Sequence, residues 1–210
     1  MQNPFDAKAA LWDEDPRRVQ MARAIAEAIA GAVPLKTTMQ ALEVGCGTGL
    51  VTTCLAPKLG SVIAVDTSAG MLDVLQAKIQ ALSISNIVPM RADLTGPHSI
   101  EGQFDLIFSS MTFHHIGDYN AILRMLHSLL KLGGWIAIAD LDAEDGSFHD
   151  PQTHIEHRGF NRAEFKVALQ TLGFTALGDC TAFVIPKNNR CYPVFLITGQ
   201  KATILKHAFR

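Results

Sequence analysis

Apolar runs of strand length alternate with amphipathic segments along most of this chain. Strand-like runs cover residues 39–44, 61–66, 86–94, 104–110 and 133–141. The fourth run, FDLIFSS, is apolar without alternation, which is typical of a strand covered on both faces. Segments with helical periodicity separate these runs. Five such alternations predict a parallel sheet with helices on both of its faces.

The predicted helices carry recognisable end signals. The first is predicted from about Pro16 to Ala30, with Asp15 as its cap and Gly31 at its end. The helix after the fourth strand is predicted to cover about residues 118–132. Two strand-like segments finish the chain, and the turn residues PKNNR between them predict an antiparallel hairpin.

Composition narrows the range of partners. The chain has 210 residues, 48% of them hydrophobic, and a formal net charge of −2, so its length suits one domain. No basic patch attracts nucleic acid or an anionic membrane, and no apolar run reaches the length of a membrane span. The four cysteines form no CxxC pair, and we expect reduced thiols and a cytoplasmic protein.

The stretch ALEVGCGTGL, residues 41–50, places three glycines after the first strand. A dinucleotide-binding loop needs a glycine where Leu50 stands, and no Lys-Ser/Thr pair completes a P-loop. Asp66, 21 residues after Gly45, ends the second strand and can accept two hydrogen bonds from a ribose. Asp93 follows the third strand and is placed to accept from an exocyclic amine. This pattern indicates an adenosine without a phosphate.

The motifs LEVGCGTGL, RADL, FDLIFSSMTFHHI and LKLGGW, together with Asp66, resemble the ordered motifs of class I S-adenosylmethionine-dependent methyltransferases. The small-molecule branch that includes the ubiquinone and menaquinone biosynthesis methyltransferases is the most similar. The resemblance covers roughly residues 40–140. It implies an α/β, Rossmann-like three-layer sandwich with a seven-stranded sheet in the order 3-2-1-4-5-7-6, strand 7 antiparallel. It also implies S-adenosyl-L-methionine as cofactor and S-adenosyl-L-homocysteine as product.

The same resemblance implies where the cofactor binds. Its methionine part would lie over residues 45–47, and Asp66 would hold the ribose. An acid such as Glu43 would suit the ammonium, directly or through water. An aromatic residue of the N-terminal segment, where Phe5 and Trp12 stand, would cover the site, unless it only packs the first helix on the sheet. The expected cofactor-binding residues are Trp12, Glu43, Gly45, Cys46, Gly47, Asp66, Thr67, Met71, Ala92, Asp93, Leu94, Ser110 and Met111.

Methyl transfer is an in-line displacement, for which an enzyme mainly aligns two groups and excludes water. A general base is needed only when the acceptor must lose a proton. His114 and His115 follow the fourth strand and are the candidates for this role. If only one of them acts, His114 is the choice. Alternatively, one or both anchor their loop by hydrogen bonds.

Other charged side chains have simpler interpretations. His149, His154, Glu156 and His157 suggest a metal site, but the H-E-x-x-H and H-x-x-E-H spacings are absent. We therefore predict no metal, and a loop that lines the substrate or is solvated. An arginine at position 17 or 18 could pair with the cofactor carboxylate, although a solvated arginine is the simpler interpretation.

The predicted function is methyl transfer from S-adenosylmethionine to a small-molecule acceptor. The alternatives are a non-catalytic module that binds S-adenosylmethionine or S-adenosylhomocysteine, and a nicotinamide oxidoreductase, which Leu50 disfavours. We expect one domain over residues 1–210, with an N-terminal helical cap (1–35), a cofactor-binding core (36–141), a lid loop (142–160), and a helix with a C-terminal hairpin (161–210). The identity of the acceptor and the choice between monomer and homodimer stay open.

Overall fold

Seven strands build the centre of the protein. A computed structural model of the chain describes residues 3–96, 100–150 and 153–203. The strands, numbered β1 to β7 along the chain, are Gln40–Val44, Ser61–Asp66, Ile87–Arg91, Phe104–Ser110, Leu130–Leu141, Phe174–Lys187 and Arg190–Lys201. They form one sheet in the order 3-2-1-4-5-7-6. β7 is antiparallel to β5 and β6, and the other neighbours are parallel, which confirms the predicted fold class.

Helices cover both faces of this sheet. The α-helices α1 to α5 span Pro16–Ala32, Leu50–Leu55, Ala69–Ala81, Tyr119–Leu129 and Arg162–Thr171. Asp15 caps α1 as predicted, since its side chain accepts from the backbone N–H of Arg17 at 3.0 Å. Two 3-10 helices that were not predicted lie beside the cavity described below. They span Asp6–Glu14 and Phe113–His115. Within the described residues, no helix combines the length and apolarity needed to cross a membrane.

The central strand β4 explains the unalternating apolar run of the sequence. Ile107 packs on the side of α4 and α5, where it shares a core with Leu123. Leu106 and Phe108 point to the opposite side and share a core with Ile25 of α1. These five side chains, of Ile25, Leu106, Ile107, Phe108 and Leu123, are fully buried. The prediction of a strand covered on both faces is confirmed.

Two predicted helix ends were wrong. α1 continues through Gly31 to Ala32, because Val33 is the residue whose N–H closes the last turn on Ile29 and whose side chain is buried. α4 ends at Leu129, three residues earlier than predicted. Leu130 already belongs to β5, where it pairs with Phe104 and is fully buried.

The C-terminal hairpin is confirmed, and its turn has a specific geometry. Lys187 pairs with Arg190, so Asn188 and Asn189 form a two-residue connection. Both asparagines have left-handed φ angles, 53° and 58°. Asparagine tolerates this conformation better than most residues, and such turns match the twist of the flanking strands. The predicted C-terminal segment ends at residue 210, and its residues 204–210 lie outside the described part.

The position of Gly31 inside α1 predicts a stabilising substitution. Gly31 lies near the exposed end of the helix, has no left-handed φ, and a Cβ there would meet nothing within 4 Å. Gly31→Ala should therefore raise the free energy of unfolding by about 0.5–1 kcal/mol, because alanine loses less backbone entropy in a helix. Urea denaturation measures the change.

Gly159→Ala is the matched control with the opposite sign. Gly159 has a φ of +72°, and a Cβ there would lie 2.1 Å from the carbonyl oxygen of Asp142. The collision would break the bridge between Asp142 and Phe160 that closes the 142–160 loop. Equal effects of the two substitutions would contradict the assignment of Gly31 to the helix.

Candidate active site

A cavity of about 390 Å³ opens at the carboxyl ends of β1, β2 and β4. β1 and β4 are neighbours, but the chain continues from β1 towards one edge of the sheet and from β4 towards the other. A crevice forms where such connections diverge. All thirteen residues predicted to hold the cofactor line this cavity: Trp12, Glu43, Gly45, Cys46, Gly47, Asp66, Thr67, Met71, Ala92, Asp93, Leu94, Ser110 and Met111.

The glycine loop turns sharply at the end of β1. Gly45 has a φ of +69°, and a Cβ at this position would lie 2.2 Å from Oγ1 of Thr112. The N–H groups of Gly45 and Cys46 both donate to the carbonyl oxygen of Val65, at 2.8 and 2.9 Å. Only glycine meets both demands at position 45, because the conformation and the close neighbour each exclude a side chain.

Asp66 joins this loop to the start of α3. Its two carboxylate oxygens accept from the N–H of Gly47, at 2.7 Å, and from the N–H of Ser68, at 2.9 Å. Burial raises the pKa of Asp66, while these N–H groups oppose the rise. Each oxygen keeps accepting capacity for a further donor, so this carboxylate can still receive hydroxyl groups from the cavity.

Asp93 lies on the wall of the cavity beyond β3. One oxygen of its side chain accepts from the N–H and the hydroxyl of Thr95, at 2.8 and 2.6 Å, and this holds the turn after the strand. The other carboxylate oxygen has no hydrogen-bond partner among the described residues. An exocyclic amine in the cavity would suit that oxygen as a donor.

Glu43 is the most unusual acid of the cavity. It lies on β1, only 1% exposed, and its one hydrogen-bond partner in the described structure is the hydroxyl of Thr52. Burial raises the pKa of Glu43 to about 8, Thr52 opposes the rise, and the negative charge of Asp66 adds to it. Glu43 therefore carries a proton at neutral pH in the free protein.

The N-terminal segment closes the cavity through its own acids. Asp6 accepts from the hydroxyl of Ser68 at 2.6 Å and from the N–H of Gly70 at 3.0 Å. Asp13 accepts from the hydroxyl of Thr48 at 2.5 Å and pairs with Lys78 at 2.7 Å. The expected helical cap is thus attached to the glycine loop and to α3 through polar contacts.

Trp12 and Arg18 form one end of the cavity wall. The guanidinium of Arg18 lies 3.8 Å from the centroid of the Trp12 ring and donates to its carbonyl oxygen at 3.2 Å. Phe5 meets Trp12 edge to face, with centroids 5.9 Å apart. Arg18 lines the cavity and stacks on Trp12, so interpreting it as a freely solvated arginine was wrong. Arg18 lies three residues after Asp15, the cap of α1, and nothing in the sequence around it indicates that it stacks on Trp12.

The two histidines after β4 take different positions. These positions do not fit the prediction that His114, rather than His115, is the general base. His114 is 3% exposed and does not line the cavity. Its Nδ1 lies 2.7 Å from Asp140, and its backbone N–H donates to the same carboxylate at 3.2 Å. These contacts fit the alternative that His114 anchors its loop. Sequence analysis did not single out Asp140, because an acid at the end of an apolar strand resembles a helix cap.

His115 lines the cavity beside Phe5. Its Nδ1 lies 3.1 Å from the carbonyl oxygen of His154. A carbonyl only accepts, so Nδ1 carries the proton and Nε2 keeps a free lone pair. Burial lowers the pKa of His115 to about 4, and the neighbouring His114 ring adds to the effect. His115 is therefore a neutral imidazole with an available acceptor nitrogen.

The 142–160 loop attaches to the histidine side of the cavity. The N–H groups of Glu156 and His157 donate to the carbonyl of His114, at 2.9 and 3.1 Å. The imidazole of His157 donates from Nε2 to the carbonyl of Ile116 at 2.9 Å. His154 pairs with Glu156 at 2.9 Å. Within the described residues, no group of three or more His, Cys, Asp or Glu side chains has a metal-binding arrangement.

Comparison with known proteins points to one family. The family described as methyltransferase domain matches residues 41–134. The biotin biosynthesis bifunctional protein of Bordetella avium is 37% identical over 143 residues, which cover 67% of this chain. The ubiquinone biosynthesis O-methyltransferase of the same organism is 26% identical over 157 residues, or 69% of this chain. The chain spans 30% of the first protein and 61% of the second.

Solved structures share the fold. The crystal structure of a SAM-dependent methyltransferase from Aquifex aeolicus superposes with a TM-score of 0.71. The match covers 94% of this chain and 98% of that protein at 20% identity. At this level of identity the likeness concerns the fold.

The buried carboxyl of Glu43 predicts how stability depends on pH. Its pKa in the fold, about 8, lies above the ordinary value of 4.5. The native state therefore binds an extra proton between these values, so the contribution of Glu43 is complete below about pH 4.5 and is lost as the pH rises towards 8. Glu43→Gln should remove this dependence, and urea denaturation at pH 5 and pH 8 measures it.

Glu27→Gln, on the exposed face of α1, is the control. It should keep the wild-type change in the free energy of unfolding between the two pH values, to which the lowered pKa values of His115 and His149 also contribute. If Glu43→Gln and the wild type lose the same amount of stability from pH 5 to pH 8, Glu43 is ionised in the free protein.

Proposed function

We propose that this chain, a class I S-adenosylmethionine-dependent methyltransferase by its similarity to the methyltransferase domain family and to named methyltransferases, transfers a methyl group from S-adenosylmethionine to a small-molecule acceptor. One observation carries this proposal: a single cavity at the strand ends brings together the glycine loop, the acids after β2 and β3, and the aromatic N-terminal segment. Bound there, S-adenosylmethionine supplies an electrophilic methyl group.

The polar groups of the cavity fit this cofactor. Asp66 would accept from the ribose hydroxyls, and Glu43 would face the ammonium. Among the described residues, Glu43 accepts from the hydroxyl of Thr52 and has no cationic partner. Ala92, Asp93 and Leu94 would surround the adenine, while Thr67 and Met71 would lie beside the ribose. The backbone of Gly45, Cys46 and Gly47, with Ser110 and Met111, would hold the methionine part. Trp12 would cover it.

His115 is the group of this chain best placed to accept a proton from a hydroxyl acceptor. It lines the cavity, its Nε2 has no hydrogen-bond partner among the described residues, and its depressed pKa keeps it neutral. His114, held by Asp140, would position it as the preceding residue of the same 3-10 helix. The 142–160 loop and the N-terminal segment would exclude water, which strengthens the alignment of acceptor and methyl group.

The setting of the protein is part of the same proposal. The four cysteines are unpaired, as expected of a cytoplasmic protein. Small molecules rather than nucleic acids are the proposed acceptors, in line with the near-neutral charge. We propose one domain with the boundaries given above. A protein that binds the cofactor but turns over no acceptor would be the non-catalytic module.

Binding of S-adenosyl-L-homocysteine tests the cofactor assignment. Calorimetry should show binding to the wild type and an affinity at least about tenfold lower for Asp66→Ala, since charged hydrogen bonds contribute about 1.5–3 kcal/mol each. Asp73→Ala, on the exposed face of α3, is the control and should bind like the wild type. No binding at millimolar ligand, with Asp66→Ala indistinguishable from the wild type, would contradict the proposal.

The pH profile of turnover tests His115. With a hydroxyl acceptor and saturating S-adenosylmethionine, kcat should stay level from pH 7 to pH 5 and fall only as the pH approaches about 4, where His115 takes up a proton. An ordinary histidine would produce the fall near 6.5. His115→Gln should lower kcat by about 10²-fold or more.

His154→Ala is the control for this experiment. It removes an exposed side chain but keeps the main-chain carbonyl that accepts from His115, so kcat should change little. A kcat that falls near pH 6.5, or a His115→Gln variant with wild-type kcat, would exclude His115 as the base.

A further inference from the structure

Glu43 has the geometry of a group that exchanges its proton for a cation. We propose that the amino group of the cofactor displaces the proton of Glu43, so that cofactor binding releases this proton to solvent and depends on the ammonium being present. The inference rests on the proposed function, because it assigns a ligand with an ammonium to the cavity. It makes Glu43 a specificity-determining residue for that ligand.

The surroundings of Glu43 leave its charge without compensation in the free protein. Glu43 lines the cavity and is only 1% exposed, and the Thr52 hydroxyl is its one hydrogen-bond partner among the described residues. Among the described residues, Glu43 forms no ion pair. An ionised carboxylate buried in this way is costly, and the group stays neutral instead.

The charged and titratable groups that face Glu43 do not supply the missing cation. Asp66, at the end of β2, is a like charge that disfavours ionisation. The thiols of Cys46 and Cys54, from the glycine loop and α2, are neutral because burial raises the pKa of each. Arg18 lines the same cavity, but its guanidinium stacks on Trp12.

Lys78 is likewise engaged elsewhere. Its ammonium pairs with Asp13 at 2.7 Å and donates to the carbonyl of Thr48 at 2.8 Å. The cavity therefore contains a buried acid, and both Arg18 and Lys78 already have partners. A ligand ammonium is the group that would make its ionised form favourable.

The exchange balances in protons and charge. The carboxylic acid of Glu43 and the ammonium of the ligand become a carboxylate–ammonium pair, and one proton leaves to the buffer. With the pKa of Glu43 at about 8, about 0.9 of a proton is released per ligand at pH 7. Affinity then rises about tenfold from pH 6 to pH 7.

The pair also gives selectivity within adenosine compounds. A ligand with the adenosine and the thioether but no amino acid part, such as 5′-methylthioadenosine, offers no cation to Glu43. The carboxyl would keep its proton when that ligand binds. The affinity of such a ligand should therefore be independent of pH in the same range.

Isothermal titration calorimetry with S-adenosyl-L-homocysteine tests the exchange. Titrations at pH 7 in phosphate and in Tris, whose ionisation heats differ, count the protons released. We expect about 0.9 for the wild type and a value near zero for Glu43→Gln. From pH 6 to pH 7 the Kd of the wild type should fall about tenfold, while that of Glu43→Gln stays constant.

Titration of the wild type with 5′-methylthioadenosine is the second arm, and it does not depend on the folding of a variant. It should release no proton. If S-adenosyl-L-homocysteine binds without proton release, or if both ligands or both proteins release equal amounts, the exchange is wrong and the proposed function stands. If S-adenosyl-L-homocysteine does not bind at all, the proposed function fails and the exchange fails with it.

Discussion

The close approach of Gly45 and Thr112 is the constraint on which the site depends. These residues follow β1 and β4, the two neighbouring strands whose connections run to opposite edges of the sheet. With a Cβ absent at position 45, the Thr112 hydroxyl comes within 3.2 Å of the carbonyl of Gly45. The two loops then diverge from one fixed point. One carries the groups proposed to face an adenosyl ligand, and the other carries the histidines.

Two separate segments close the crevice, each over one of these loops. The N-terminal 3-10 helix attaches by Asp6 and Asp13 to the side of the glycine loop. The 142–160 loop attaches by backbone bonds to the carbonyl of His114 on the other side. Acids line the first half of the site, and the neutral imidazole of His115 lines the second. This separation suits a cationic donor on one side and an acceptor that must stay free of competing charge on the other.

The alternation of strands and helices, the glycine loop and the acids at the strand ends were predictable from short-range patterns, whereas the strand order and the remaining cavity residues followed from the resemblance to a known family. Strand periodicity, the spacing of three glycines and an acid at each strand end specify positions that parallel strands bring to one edge. The helix ends at Gly31 and Leu132 were mispredicted because burial of Val33 and Leu130 decides them. Trp12 and Arg18 are six residues apart, and His114 and Asp140 are 26 apart. Both contacts depend on how separate elements pack together, so no local pattern predicts them.

The pair of adjacent histidines illustrates why residue type did not assign roles. A 3-10 helix turns each successive side chain by about 120°, so neighbouring residues point in different directions. Asp140 is fully buried, and a buried carboxylate needs partners; the ring and backbone of His114 supply two of them and the N–H of Leu141 a third. His114 is thereby committed to the core. These contacts fix the 3-10 helix and leave His115 facing the cavity, where the carbonyl of His154 sets its tautomer.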